Sequence, residues 1–380
     1  MRRAIIAVAL FLALQAPPAM SQALSEQSIA AVEGAMSRAV DTGWTPGGVI
    51  AVARGGKLVF ARGYGRANLE TGTPATPDTV FRIGSLTKQF TAAAVLLLAQ
   101  DGRLRIDDPV GKHLSEFPQG DRTTIRQLLT HTSGIADYVG RAYERETLFP
   151  HTSDQLVAYV LAKSPLHDFS PGTQWQYSSS NYALAGAIVE RVSGMSLSAF
   201  LKTRIFDPLG MASTALDNSR DVVPHRASGY DRTPLGFANA RAISMTVPFA
   251  AGGIRSTARD LLVWTDALTH GRVLNGDSYR LMTTPVRLSD GSLPSQVSPD
   301  GVRRPVSYGM GLFIGGDAAH PDLWHEGAID GFTSHLGHFG RSDIDVAILL
   351  NTPPSDHLPI SAVVDALGSE AVHAQAASVR

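Results

Sequence analysis

Apolar and polar residues alternate with two different periods near the start of the chain. Between residues 25 and 40 the apolar residues recur every three or four positions, which predicts an amphipathic helix over Ser25–Val40. Two short apolar segments follow, Val49–Arg54 and Lys57–Ala61, separated only by Gly55-Gly56. Two glycines suit the tight turn of a two-residue β-hairpin, so this region predicts two antiparallel strands.

The pattern changes to helices in the middle of the chain and returns to strands near its end. A long apolar helix is predicted from Ser85 to about Gln100, and Gly102 stops it. Shorter helices are predicted over Thr123–Leu129, Ser153–Ala162, Asn181–Val192, Ser196–Ile205 and Thr257–Thr269, and a last one over Pro359–Val372. The strand-like segments are Tyr308–Ile314, Thr333–Phe339 and Asp345–Leu350.

Strands at both ends of the chain, with helices between them, indicate the fold class. We expect an α+β protein in which both chain ends build one antiparallel sheet flanked by helices. A mostly helical insertion over roughly residues 103–250 is expected to form a second lobe. No repeat, long low-complexity tract or linker separates independent units, so residues 24–375 are expected to form a single domain.

The first 23 residues have the composition of an export signal. Arg2 and Arg3 give a positive start, and the apolar run Ala4–Leu14 is too short to span a bilayer comfortably. Small residues at the positions that a signal peptidase reads follow in Ser21-Gln22-Ala23. We therefore predict cleavage after Ala23 and a periplasmic or secreted protein without a membrane span after signal removal. An uncleaved N-terminal anchor is the alternative.

Composition excludes several classes of function. Hydrophobic residues make up 44% of the 380 residues and charged residues 18%, which is typical of a soluble globular protein. The net charge of −1 gives no electrostatic case for binding nucleic acid or an acidic membrane surface. Cysteine is absent, so disulfides, thiolate catalysis and cysteine-ligated metal sites are excluded.

Ser85 and Lys88 are the strongest candidates for catalytic chemistry. Serine attacks a carbonyl at neutral pH only when a base takes its proton. Residues three apart on a helix share a face, so the Lys88 amine can reach the Ser85 hydroxyl. The apolar run Ala92–Leu98 would bury the helix and desolvate the amine, which lowers a lysine pKa toward that of a useful base. The alternative is that Ser85 only caps the helix and Lys88 is solvated.

Other hydrolytic sites fit the chain less well. No serine has glycine at both the −2 and +2 positions, which excludes the nucleophile elbow of α/β-hydrolases. A Ser-His-Asp triad stays open on counting alone, although nothing places a histidine beside a particular serine. No His-Glu-x-x-His motif is present, and we expect no metal and no other cofactor. Four histidines of the last third are expected to be solvated or in loops: His320, His335, His338 and His357.

Six segments with distinctive residues occur in a fixed order. They are Phe81–Lys88, Leu128–Ile135, Tyr177-Ser178-Ser179-Ser180-Asn181-Tyr182, Phe206–Met211, Gly252–Asp260 and His325-Glu326-Gly327. In this order they resemble the serine β-lactamase and penicillin-binding-protein superfamily, and the class C β-lactamase-related branch fits best. That branch also includes D,D-peptidases, D-aminopeptidases and esterases. The likeness extends over nearly the whole chain after the signal, from the hairpin at Val49 to the strand that ends at Leu350.

The resemblance implies the β-lactamase/transpeptidase-like fold and a role for each matching residue. Ser85 would form an acyl-enzyme that water then hydrolyses, and Lys88 and Tyr177 would share the proton transfers. The backbone N–H groups of Ser85 and Ala328, next to Gly327, would form the oxyanion hole. Such donors act where negative charge develops in the transition state.

Two motif positions depart from the family pattern. The second motif usually reads Tyr-x-Asn, but Ser179 is at its third position and Asn181 lies two residues later. A hydroxyl reaches less far than an amide, so we expect weaker recognition of the acylamide group of β-lactams and peptides. The third motif often begins with lysine, whereas here His325 would face a substrate anion. Recognition of a substrate carboxylate should then weaken as the pH rises past neutrality.

These features predict an exported serine hydrolase that acts on an ester or amide, such as a D-amino-acid-containing peptide or a small ester. The alternatives are a penicillin-binding-like module that binds or senses a ligand without catalysis, and a true β-lactamase. The set of Ser85, Lys88 and Tyr177 favours an enzyme, since a binding module has no need of a base beside the serine. His131, although it lies in a family-like segment, is expected to have a structural role in its loop. The sequence makes no prediction of oligomeric state.

Overall fold

Strands from both ends of the chain form one antiparallel sheet, which confirms the predicted α+β fold class. The computed structural model describes residues 23–118, 120–140, 143–297 and 301–378, so all of the predicted signal except Ala23 lies outside the described residues. The strands are β1 Gly47–Arg54, β2 Lys57–Asn68, β3 Thr73–Pro74, β4 Phe81–Arg82, β5 Ala215–Leu216, β6 Tyr230–Thr233, β7 Gly236–Asn239, β8 Ile254–Ser256, β9 Ser295–Val297, β10 Arg303–Pro305, β11 Phe313–Asp317, β12 His320–Ile329, β13 Phe332–Phe339 and β14 Ile344–Leu350.

The main sheet has seven strands in the order β11-β12-β13-β14-β1-β2-β3. Its centre joins the two ends of the chain, because β1 pairs with β14 and Ile50 lies opposite Ile348. β1 is buried along its whole length. Val49 and Ala51 belong to the core on one face of the sheet, and Ile50 and Val52 to the core on the other. A strand covered on both faces is expected to be a continuous apolar run, as this one is.

Helices cover both faces of the sheet. They are α1 Glu26–Asp41, α2 Thr87–Gln100, α3 Ile125–Leu129, α4 Tyr143–Glu146, α5 Ser153–Leu161, α6 Ser179–Ser193, α7 Leu197–Leu201, α8 Asp207–Leu209, α9 Phe249–Gly252, α10 Ala258–Thr269, α11 Gly276–Met282 and α12 Ile360–Ser378. The helices α1 and α12 contact each other and share one core with Ile50 and Val52. On the opposite face, α10 packs against β1 and β14.

The helix α2 is buried on all sides, which explains its largely apolar sequence. Every residue from Thr87 to Leu98 is buried. The helix contacts α6, α7, α9 and α11, and α6 in turn contacts α3 and α5. A helix that is hydrophobic all round is stable only inside such a cluster. This packing also buries the amine of Lys88, three residues after Ser85.

A buried ion pair joins the start of the described chain to the last helix. Arg54 Nη2 lies 3.1 Å from Glu370 Oε1. The hydroxyls of Ser25 and Ser28 each donate to Glu370 Oε2 at 2.6 Å. Ser25 is the N-cap of α1, so the same carboxylate holds α1, β1 and α12 together.

Three of the predicted elements need correction. The segment predicted as a strand over Tyr308–Ile314 is mostly a turn, because Gly311 has φ +81° and the Gly309 N–H donates to Leu312 O at 2.9 Å. The helix predicted over Ser196–Ile205 is α-helical only to the end of α7 and continues as a π-helix over Lys202–Phe206. The ten-residue strand β12, which carries the third motif, is absent from the sequence prediction.

Helix length and hydropathy bear on whether the described part of the chain could cross a membrane. No single helix there is long and apolar enough to cross a membrane. The pair Ser179–Ser193 and Leu197–Leu209 passes by length and composition when taken together, but it is bent by 77°. Ten consecutive residues of α6 are buried inside the protein, from Ser180 to Val189.

Candidate active site

Ser85 lies in a 3-10 turn, Gly84–Leu86, that leads into α2. The N-cap residue of α2 is Leu86, so Ser85 does not cap the α-helix, and that alternative is wrong. The predicted start of the helix at Ser85 is therefore a tighter turn that ends just before α2. The Ser85 side chain lines a cleft of about 430 Å³.

Two glycines let this turn lie directly against β12. A Cβ atom on Gly84 would be 2.8 Å from Ala328 N, and one on Gly327 would be 2.1 Å from Ile83 O. Gly84 also has φ +49°, a backbone conformation that favours glycine. The close approach brings the backbone of Ala328 beside the nucleophile turn. Ser85, Gly327 and Ala328 line the same cleft, which is the arrangement that the family resemblance implies.

Lys88 is held beside the Ser85 hydroxyl in a fully buried position. Its Nζ donates to Ser85 Oγ at 3.1 Å and to Ala251 O at 2.9 Å. The side chain has no exposed surface, so the alternative of a solvated lysine is also wrong. Burial lowers the pKa of Lys88 to about 7, against a smaller opposing effect of Asp137. At neutral pH a large fraction of Lys88 is therefore an uncharged amine that can accept a proton.

Tyr177 completes a compact group with Ser85 and Lys88. Its ring centroid lies 4.7 Å from Lys88 Nζ, and its phenol lies within interaction range of the Ser85 side chain. Burial raises the pKa of Tyr177 above its usual value, against the effect of the Ser85 side chain. The phenol therefore keeps its proton at neutral pH. It can donate a hydrogen bond or pass on a proton, whereas Lys88 is the stronger candidate for the base.

His325 lines the cleft but is not a cationic residue, which corrects the expected pH dependence. Its Nδ1–H donates to Glu326 O at 2.5 Å, and its Nε2 lies 3.2 Å from the Tyr308 hydroxyl. Burial, followed by the nearby Lys88, lowers the pKa of His325 to about 3. The ring is therefore neutral across the physiological range and loses no charge as the pH rises past neutrality. The sequence argument failed because it assumed an exposed imidazole.

The second motif contributes Tyr177 to the cleft but not Ser179. Ser179 is the first residue of α6, and it is not among the residues that line the cleft around Ser85. Its backbone N–H donates to Asp137 Oδ1 at 3.1 Å. Asn181 points away from the cleft, since its Oδ1 accepts a bond of 2.5 Å from the buried hydroxyl of Ser133. Asn181 therefore does not replace the missing motif asparagine.

Asp137 lies near the site although it does not line the cleft, and the sequence reasoning missed it. Its Oδ1 accepts from the N–H groups of Ser179 and Val139, at 3.1 Å and 3.2 Å. Burial raises the pKa of Asp137, although the nearby Lys88 opposes this effect. Its charge also acts on Tyr177. The available signal was its place two residues after the family-like segment that ends at Ile135.

The acidic residues that line the cleft lie at its exposed rim. Glu326 and Asp356 both line the cleft and are exposed, and its lining contains no lysine or arginine. The remaining lining residues are Phe313, Thr333, Pro354, Ser355, Leu358, Ile360 and Ser361. The segment between β14 and α12 therefore forms one wall. A larger groove of about 970 Å³ lies elsewhere and contains none of the predicted site residues.

The four histidines that were expected to be solvated or in loops all lie among the described residues. In the residues that the structure describes, no group of three or more His, Cys, Asp or Glu side chains could hold a metal ion. His335 and His338 lie in β13 and are buried, which corrects the expectation that they are solvated or in loops. His338 Nδ1 lies 2.8 Å from Asp345 Oδ1 in a buried pair.

Comparison with known proteins agrees with the arrangement of these motifs. The beta-lactamase family model matches residues 32–367, which is most of the chain. The chain belongs to the beta-lactamase family. A D-aminopeptidase of Gluconobacter oxydans (strain 621H) is 30% identical over 332 residues, which cover 86% of this chain and 60% of that relative. This family member thus spans less than two thirds of that relative's length.

Solved structures of similar proteins share its fold over almost the whole length. A D-stereospecific amidohydrolase from Streptomyces sp. has 29% identity and a TM-score of 0.73, covering 88% of this chain and 97% of the other. A D-amino acid amidase from Ochrobactrum anthropi SV3, complexed with D-phenylalanine, has 25% identity and a TM-score of 0.76, covering 90% and 99%. This chain thus belongs to a family of serine hydrolases. The proteins similar to it include a D-aminopeptidase and a D-amino acid amidase.

Proposed function

We propose that this family member is an exported serine hydrolase that cleaves an amide or ester bond through an acyl-enzyme on Ser85. The observation that carries the proposal is the buried amine of Lys88, 3.1 Å from Ser85 Oγ, with a pKa lowered to about 7. A neutral amine there is a base matched to neutral pH. Its bond to Ala251 O fixes the amine, so that its lone pair can face the serine hydroxyl.

The proposed reaction has two steps. Lys88, with Tyr177 as a relay, takes the proton of Ser85 while Oγ attacks the substrate carbonyl. The backbone N–H groups of Ser85 and Ala328 stabilise the oxyanion of the tetrahedral intermediate. The C–N or C–O bond then breaks, and the leaving amine or alcohol receives the proton through Tyr177. Water attacks the resulting ester in the same way and releases the acid and free Ser85.

The charges around the cleft support an acyl donor that carries an amine and no carboxylate. A substrate carboxylate would find no lysine or arginine in the lining and a neutral His325. An ammonium group would find the carboxylates of Glu326 and Asp356 at the rim. It would also be attracted by Asp137, which lies within electrostatic range of Lys88. An ammonium and a carboxylate at close range each favour the charged form of the other.

The neighbouring proteins support the same substrate class. A D-aminopeptidase and a D-amino acid amidase are among the similar proteins. We therefore propose an amide or ester of a D-amino acid with a free amino group as the substrate. A β-lactam, whose carboxylate would enter this cleft, fits less well. A non-catalytic binding module would have no need of the base beside Ser85.

A substrate panel with one variant tests the proposal. D-phenylalanine amide, its N-acetyl derivative, a D-alanyl peptide with a free carboxylate and nitrocefin are compared for the full chain and for Ser85→Ala. We expect hydrolysis of the unblocked amide, at least about tenfold faster than the blocked one, and none by Ser85→Ala. Turnover that survives in Ser85→Ala would exclude Ser85 as the nucleophile. A stable adduct without turnover would instead favour a binding module.

The proposed role of Asp137 in selecting the amine has its own variant. Asp137→Asn is expected to reduce the preference for the unblocked over the N-acetylated amide by about tenfold, because one close charge pair is worth roughly 1–2 kcal/mol. Asp356→Asn, at the exposed rim, is the matched control and should change the preference less, since exposed charges are screened. An unchanged preference in Asp137→Asn would exclude Asp137 as the selecting group.

The proposed export rests on the signal-like N-terminus. Expression of the full chain in a bacterium with a Sec system, followed by cell fractionation and N-terminal sequencing, tests it. We expect a periplasmic or secreted product that begins at Leu24. A cytoplasmic product that still begins at Met1 would exclude the signal.

A further inference from the structure

His131 has a strained backbone at the centre of the aromatic residues behind the catalytic group. It lies just after α3, it is completely buried, and its φ is +60°. Residues other than glycine rarely adopt this conformation, and it persists only where the surrounding structure enforces it. Such strain is concentrated at functional sites, so the contacts that enforce it are informative.

Two hydrogen bonds of His131 hold the residues immediately before and after Tyr177. The carbonyl oxygen of His131 accepts from the Gln176 N–H at 3.1 Å. The Nδ1 atom of its side chain accepts from the Ser178 N–H at 3.2 Å. These two N–H groups belong to the residues immediately before and after Tyr177. His131 makes both contacts from its left-handed backbone conformation.

The imidazole ring also packs against the phenol itself. The ring centroids of His131 and Tyr177 are 4.4 Å apart, with an angle of 35° between the planes. Trp175, Tyr182 and Tyr308 surround the other sides of the imidazole, at centroid distances of 5.9, 5.2 and 5.1 Å. The imidazole is thus a fixed support on one side of Tyr177, while Lys88 Nζ lies 4.7 Å from the phenol centroid.

The hydrogen bonds determine the tautomer of His131. A backbone N–H can only donate, so Nδ1 carries a lone pair toward Ser178 and the proton of the neutral ring is on Nε2. Nε2 is buried and, in the described part of the chain, has no hydrogen-bond partner. Burial, followed by Lys88 and His325, lowers the pKa of His131 well below its usual range. A neutral ring is required, because a proton on Nδ1 would break the bond to Ser178.

We propose that His131 is the positioning residue for Tyr177, acting through the acceptor Nδ1, the carbonyl oxygen and the face of its ring. It does not touch the reacting atoms. It holds the phenol between Ser85 and Lys88, so that Tyr177 can move a proton without first reorienting. This inference rests on the proposed function for its kinetic effect, and its structural part, the tautomer, is independent of any activity.

Two substitutions separate the contributions of the acceptor and the ring. His131→Asn keeps a side chain that tolerates the left-handed backbone and offers an acceptor, but it removes the ring. His131→Phe keeps an aromatic ring and removes the acceptor. We expect each variant to lower kcat for D-phenylalanine amide by roughly 10- to 100-fold with KM changed less than about threefold, since small misplacements of a catalytic group have effects of this size. His335→Asn, another buried neutral histidine, is the matched control and should retain kcat within about twofold.

A double-mutant cycle distinguishes positioning from general destabilisation. In a Tyr177→Phe background the phenol hydroxyl is already absent, so His131→Asn is expected to change kcat by less than about twofold. An equal loss of kcat in both backgrounds would overturn the proposal. Ser85→Ala controls establish first that the turnover belongs to the proposed site. If the proposed function is wrong, the wild-type protein shows no turnover that depends on Ser85, and this is known before the double-mutant cycle is measured.

The wild-type protein supplies a test that needs no variant to fold. Long-range ¹H–¹⁵N correlation spectra of protein labelled in its histidine side chains distinguish the two neutral tautomers. We expect the His131 signal to show a protonated Nε2 and an unprotonated Nδ1 and to stay neutral well below pH 6.5, because burial opposes its protonation. A His131 signal with a protonated Nδ1, or one that titrates near pH 6.5, would overturn the proposal.

Discussion

The buried amine of Lys88 makes the stability of the protein depend on pH in a direction that can be measured without a substrate. Burial lowers the pKa of Lys88 to about 7 in the folded protein, from the ordinary lysine value of 10.5. Between these two values the unfolded chain binds a proton that the folded protein does not. The free energy of unfolding therefore rises with pH across this window, and this contribution is smallest at and below pH 7.

The size of the effect follows from the same two pKa values. Between pH 7 and pH 9, this one group adds about 2 kcal/mol to the free energy of unfolding. Lys88→Met replaces the amine by an apolar side chain of similar length and removes the contribution. The two proteins will differ in stability at every pH, so the informative quantity is the difference between their slopes. The slope of the variant should be lower by about 2 kcal/mol over this range.

Urea denaturation at several pH values between about 7 and 9 measures both slopes. The other titrating groups occur in both proteins and cancel in the comparison. Lys57→Met, which removes an exposed lysine, is the control and should leave the wild-type slope unchanged. Equal slopes for the wild type and Lys88→Met would mean that the folded protein keeps Lys88 charged, and Lys88 would then be unsuitable as the proposed base.

Two further predictions concern the framework of the site. Gly327→Ala places a Cβ atom 2.1 Å from Ile83 O, so we expect a loss of about 1–3 kcal/mol in the free energy of unfolding and a strong loss of turnover. Gly276→Ala, which has open space around it, is the control and should change neither quantity by much. Equal behaviour of the two variants would refute the close approach of Gly327 to Ile83. Glu370→Gln breaks the buried pair with Arg54 and should cost about 3 kcal/mol in urea denaturation. Glu116→Gln, which breaks an exposed pair with Arg191, should cost less than about 1 kcal/mol, and equal losses would contradict the role of burial.

Sequence was sufficient wherever the deciding interactions are local. The hairpin of β1 and β2 follows from alternation around Gly55-Gly56 and is found at those residues. The proximity of Lys88 to Ser85 follows from helical spacing, and their contact at 3.1 Å confirms it. In each case the partners are a few residues apart, so the backbone geometry of one element determines their relation.

Sequence was insufficient where distant segments determine the environment. The strand β12 contains Pro321, Asp322 and Gly327, which disfavour strands, and it forms because β11 and β13 lie on both sides of it. His325 was expected to titrate because its sequence neighbours do not reveal its burial. The place of Asp137 near Lys88, 49 positions away in sequence, depends on the packing of the helical region around α2.

The pairing of β1 with β14 also determines when during synthesis the proposed active site can assemble. Ile50 and Ile348 are partners about 300 residues apart, so the central sheet closes only after nearly all of the chain has been made. Until then the nucleophile turn has no β12 to pack against, and Ala328 has not been added. A nascent chain therefore carries Ser85 and Lys88 for most of its synthesis as unassembled parts. Any fragment that ends before β14 is expected to be inert, and its exposed strand edges would make it prone to aggregate.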